Sequence, residues 1–247
     1  MKKRKVTEQE LRDLVRSGAD LTQLDVSGVS KMIDLFKGNK TFNQDISKWD
    51  VSNVKNMSAM FQDASSFNQN IGAWNVSNVR YMDRMFNGAY SFNKNIGAWD
   101  VSKVKNMSRM FLKASSFNQD ISSWDVSKVN IMYLMFCDAL KFNQDIGAWN
   151  VSNVNNLNGV FLCAESFNQD ISAWVLAPHV NEAWILDGAT AFVQDMSDRS
   201  YPEYWLVGKK VLDKDLYKYL WSCPLEELPK YLNHETFSPI VRKRLGK

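Results

Sequence analysis

Residues 42–66 read FNQDISKWDVSNVKNMSAMFQDASS, and the chain then repeats itself: 67–91 read FNQNIGAWNVSNVRYMDRMFNGAYS and 92–116 read FNKNIGAWDVSKVKNMSRMFLKASS. Phenylalanine returns at Phe42, Phe67, Phe92, Phe117, Phe142, Phe167 and Phe192, always 25 residues apart. Tryptophan keeps the same step from Trp49 to Trp174, with Leu24 in its place one unit earlier. A fixed period of this length is the mark of a stacked repeat, because one short unit cannot bury its own apolar face and needs a neighbour on each side.

The period predicts two elements per unit. Ile46, Trp49 and Val51 fall at the spacing of a short inward-facing strand. From Val54 the apolar positions Met57, Met60, Phe61 and Ala64 form one helical stripe, predicting a helix of about ten residues with Ser52 or Asn53 as its N-cap. Residues 65–70 turn the chain into the next unit. Stacking such units predicts an α/β fold: a right-handed leucine-rich-repeat-like solenoid, parallel strands on one side and short helices on the other. At about 4.8 Å per strand, seven units would make a sheet on the order of 30 Å long.

The run FNQDISKWDVSNVKNMSAMF and its copies down to Trp174 resemble the BspA-like leucine-rich-repeat family of bacterial surface proteins. The resemblance spans residues 21–197 and implies recognition or adhesion at a cell surface, with no catalytic residues to carry over. Similar repeats also occur in viral and phage proteins. This sequence shows no apolar leader segment near its start, so a cytoplasmic location is the expectation from the residues and the cell surface the one from the resemblance. No apolar stretch approaches the length of a membrane span.

Three segments follow: an N-terminal capping helix in 1–20, the solenoid in 21–197, and a helical C-terminal module in 198–247. Thr7 and Glu10 form a capping-box pattern ahead of Leu11, Leu14 and Val15. The C-terminal module predicts helices over 212–221, 225–232 and 237–245, serving as a cap on the last repeat.

Chemistry is sparse. The histidines are His179 and His234, neither at ligand spacing to another histidine or cysteine, and there is no phosphate loop or nucleophile motif. No enzyme activity, cofactor, metal site or small-molecule substrate is expected. Cys137, Cys163 and Cys223 are too few for a disulfide framework. Asp and Asn recur in ladders, at Asp50, Asn75, Asp100, Asp125 and Asn150 and again at Asp45, Asn70, Asn95, Asp120, Asp145 and Asp170. They are read as acceptors for local backbone amides in preference to calcium ligands. A basic column at Lys55, Arg80 and Lys105, flanked by Lys103 and Lys128, stands against a formal charge of only +3, which disfavours a nucleic-acid partner.

One unit departs from the pattern. Ile131, Tyr133, Leu134, Cys137 and Leu140 occupy positions that are polar or small elsewhere, with Leu112 and Leu162 in the column of Cys137. These seven residues predict an apolar patch on the helical side that either binds a partner protein or lies under the C-terminal helices. The expected function is protein recognition; the alternatives are a structural assembly component of a virus or phage, or an accessory domain of an enzyme.

Overall fold

The computed structural model describes residues 3–194. Strand β1 (Arg4–Lys5) is followed by helix α1 (Glu8–Ser17) and strand β2 (Leu24–Asp25), and β1 pairs parallel to β2 with Arg4 opposite Leu24. The capping box is complete: the Glu10 N–H donates to the Thr7 hydroxyl at 3.2 Å, and the Thr7 N–H to the Glu10 carboxylate at 2.8 Å. Gly18 ends the helix in the left-handed conformation, with φ of 70°. Leu11 enters the core and the Arg12 guanidinium donates to the Ile33 carbonyl, fixing α1 against the first unit.

Beyond β2 the units contain neither of the elements expected of them. Residues 46–51 form no strand, and residues 54–64 no helix; α1 is the one α-helix among the described residues. Each unit is instead a train of tight turns. In the second, Trp49 N–H donates to Ile46 O, Val54 to Val51, Met60 to Met57, Ala64 to Phe61 and Phe67 to Ala64. Ala59 and Asp63 have φ of 53° and 57°, and the same two places are left-handed in later units. Turns 57–60 and 61–64 therefore carry their left-handed residue third, as type II turns require.

A helix would return each amide to its own preceding turn. Here the amides of Met57, Ala59, Phe61 and Asp63 cross to the carbonyls of Tyr81, Asp83, Met85 and Asn87 in the next unit. A ladder of isolated parallel bridges runs beside this edge through Lys31, Asn56, Tyr81, Asn106, Ile131, Asn156 and Asn181. Alternate backbone amides are thus satisfied between units, the others within the turns. The tandem turns still send Met57, Met60, Phe61 and Ala64 inward, because a turn repeating every four residues and a helix select the same apolar positions.

The interior is one continuous core. Phe36, Phe61, Phe86, Phe111, Phe136 and Phe161 form one column with ring centroids 5.4–5.7 Å apart. Phe42 to Phe192 form a second column, and the two touch where one unit runs into the next, from Phe36–Phe42 to Phe161–Phe167, at 3.8–4.0 Å. The tryptophans of the 25-residue register, Trp49 to Trp174, are buried, each indole N–H donating to a carbonyl of the preceding unit, as from Trp124 to Ile96 at 3.1 Å; Trp184 is exposed. Asparagine does the same at the surface: the amide N–H of Asn68, Asn93, Asn118, Asn143 and Asn168 each donates to the Oδ1 of the asparagine one unit earlier. The predicted C-terminal helices and the cap they compose lie outside the described residues.

Candidate functional site

The unit at 117–141 differs outwardly from its neighbours. Leu112, Leu134 and Cys137 are buried in a cluster separate from the main core, with half-buried Tyr133 and Leu162 packed against it. Ile131 is half-buried in the bridge ladder, and Leu140 is exposed outside the cluster. The patch read from the sequence is therefore brought together in part, and it sits on a surface of turns, not of helices. Leu134 occupies the left-handed turn position with φ of 52°, a conformation costing a non-glycine residue roughly 1–2 kcal/mol. The next unit has Gly159 at that place, where a Cβ would lie 2.6 Å from Leu134 Cδ2. Glycine there opens the room that Leu134 fills. On the other side the Arg109 guanidinium lies over the Tyr133 ring, 5.1 Å from its centroid.

The cysteine chemistry of this region is muted. Burial, reinforced by the neighbouring Asp138 carboxylate, pushes the Cys137 thiol well above the usual range and Cys163 up to about 12. Burial also raises the Asp138 carboxyl, against the attraction of Lys113. No group of His, Cys, Asp or Glu among the described residues has the arrangement of a metal site.

The two Asp/Asn ladders bind their own backbone. Asp45 Oδ1 accepts from Ser47 N–H, Asp50 from Ser52, Asp100 from Ser102, Asp120 from Ser122 and Asp125 from Ser127, all at 2.9–3.0 Å. Hydrogen bonds from the serine side chain and N–H hold these carboxyls below their ordinary range. Beside them lies a shallow depression of about 540 Å³ lined by Asn70, Gly72, Ala73, Asn95, Gly97, Ala98, Asp120 and Ser123. The floor is close-packed: a Cβ on Gly97 would stand 2.6 Å from the Asp120 carbonyl oxygen.

His179 is exposed, with φ of 66°. Val180 rather than His179 closes the turn there, donating to Ala177 O, so this turn sits one residue later than in the other units, and the 25-residue register is restored at Asn181, which bridges to Asn156. Among the described residues no helix is long and apolar enough to cross a membrane.

The repeat has a counterpart among family models. Residues 8–111 and again 91–199 match the family described as Mycoplasma protein of unknown function, DUF285. The chain belongs to the DUF285 family. The two matches overlap within the repeats, as expected when a model spanning several units can settle on more than one set of them. In this DUF285 chain the match ends close to the last residues that keep the 25-residue period. No curated protein and no solved structure matches the chain.

Proposed function

We propose that this DUF285 protein is a non-catalytic recognition protein, a solenoid related to the leucine-rich-repeat surface proteins, which binds a partner protein through its outer face. The observation that carries this reading is the second apolar cluster. Leu112, Leu134 and Cys137 are buried outside the main core, in units whose equivalents elsewhere are polar or small. The left-handed backbone at Leu134 is common to that column, with Ala59, Arg84, Arg109 and Gly159 alike, so the departure lies in the side chain and its burial. A repeat that folds without such residues in its other units keeps them for something besides folding, since local departures from a structural rule collect at functional places.

Because Leu134 is 2% exposed, a partner would meet the rim of the cluster. Tyr133 and Leu162 form that rim; Ile131 lies in the bridge ladder and Leu140 stands apart. Leu134→Asp would bury a charge and unfold the cluster, so it tests stability and not binding. The informative variant is Tyr133→Ala with Leu162→Ala. A pull-down from the native source should lose its partner with this variant while thermal unfolding stays within about 2 kcal/mol of the parent. Capture of the same partner with undiminished yield would sink the proposal.

A further inference from the structure

Lys55, Arg80 and Lys105 are exposed and stand on consecutive rungs of the inter-unit ladder: Arg80 N–H donates to Lys55 O and Lys105 N–H to Arg80 O, both at 2.9 Å. Their Cα atoms are therefore about 4.8 Å apart, one ladder step. Like charges on neighbouring rungs repel and weaken a ladder. The fold does not need them, since Asn130 and Asn155 serve the same rung in later units and make the same backbone bond. Neighbouring cations are engaged: Lys103 Nζ donates to Asn78 Oδ1 at 3.1 Å, Lys3 Nζ to Lys48 O at 2.6 Å, and Arg84 pairs with Asp83. Among the described residues Lys55, Arg80 and Lys105 form no ion pair. Tyr81 lies on the adjoining bridge column between Asn56 and Asn106 and is 42% exposed, an aromatic flank beside the three cations.

We infer that this row of three unpaired cations with Tyr81 beside it is the docking surface for a short acidic segment of a partner protein. The inference rests on the recognition reading above and places part of the contact on an edge distinct from the Leu134 cluster. A protein segment fits better than a nucleic acid. Asp50, Asn75 and Asp100 stand exposed five residues before Lys55, Arg80 and Lys105, and Asp125 continues their column, the three carboxylates fixed by Ser52, Ser102 and Ser127. A backbone charged at every residue would meet that column as well as the cations, whereas a segment with a few carboxylates meets the cations alone. Tyr81 is also a single ring, not the succession of stacking platforms that single-stranded nucleic acids use.

The test is fluorescence anisotropy of a short labelled peptide with a few glutamates spaced among neutral residues, titrated with the full chain, beside an equally short single-stranded oligothymidylate. The triple reversal Lys55→Glu, Arg80→Glu, Lys105→Glu should raise the peptide Kd by about tenfold or more and flatten its salt dependence. Reversal of the exposed Lys40 and Lys141 should leave the Kd unchanged. The neutral triple Lys55→Gln, Arg80→Gln, Lys105→Gln should bind weakly and unfold no earlier than the parent, because the repulsion is gone. Failure of the parent chain to bind the peptide, binding indifferent to the reversal, or tighter binding of the oligothymidylate would each overturn the inference. If the pull-down with Tyr133→Ala and Leu162→Ala still behaves as expected, the row has failed and recognition stands. If that also fails, the recognition reading falls with it.

Discussion

Replacing Phe111 with alanine strikes the stack at its centre. The ring is fully buried, 5.6 Å from Phe86, 5.5 Å from Phe136, 4.0 Å from Phe117 and 6.3 Å from Trp124. Truncation removes about 3–5 kcal/mol of apolar burial and leaves a cavity between two units whose backbone bonds hold its walls apart. That range is the whole cost of such a truncation, and the loss of four ring pairs, worth about 0.5–1.5 kcal/mol each where they are close, places Phe111 at its upper end. Phe36 sits in the same column at the N-terminal end, with a column neighbour on one side only, Phe61 at 5.4 Å. Phe36→Ala should cost less by one such pair or more. In a stack stabilised by nearest-neighbour contacts the central change also loosens the coupling between the halves, so urea unfolding should broaden as well as shift. Circular dichroism and intrinsic tryptophan fluorescence, followed together against urea, give both quantities. A loss below about 1 kcal/mol at Phe111, or one equal to that at Phe36, would refute the picture of rings coupled from unit to unit.

Trp124→Phe leaves the buried Ile96 carbonyl without its indole donor and should cost about 1–3 kcal/mol in the same urea titration. Arg84→Gly relieves a left-handed residue with φ of 55° and gives up only an exposed ion pair, so the melting temperature should rise, by up to about 1 kcal/mol in stability. Burial raises the Asp187 carboxyl to about 6, above the roughly 3.9 of an unfolded chain. The folded state holds this proton more tightly, so its contribution is complete below about pH 4 and is lost as pH rises through about 6. Asp187→Asn should flatten the pH dependence of melting across that window. Cys137 and Cys163, with thiol acidities suppressed by burial, should resist alkylation at pH 8 until the chain is unfolded, as read by mass spectrometry of the labelled peptides.

The core was legible because phenylalanine and tryptophan mark the inward positions whatever the backbone does between them. Every apolar position assigned to the interior of the second unit, from Ile46 to Phe67, is buried. The secondary structure was misread for the same reason. Met57, Met60, Phe61 and Ala64 satisfy a helical stripe and a train of four-residue turns equally, and periodicity alone does not separate them. The separating signal lay in the residues between: Gly38, Asp63, Gly88, Asp138 and Gly188 share one column, and residues of this kind tolerate positive φ and favour turns over helices. The capping box at Thr7 was readable because it acts over three residues and needs no neighbour. Of the candidate site, the odd composition of residues 131–140 was visible, but the burial of Leu134 was not. That burial depends on Gly159 in the next unit making room, a relation across the ladder that no local pattern shows.

The units are joined sideways through their backbones, and scalar couplings across hydrogen bonds in nuclear magnetic resonance read those joints one by one. The amide nitrogen of Phe111 should couple to the carbonyl carbon of Met135, and that of Arg109 to Tyr133, one unit further along the chain. Coupling of Phe111 to the carbonyl of Met107 instead, four residues back as in a helix, would contradict it.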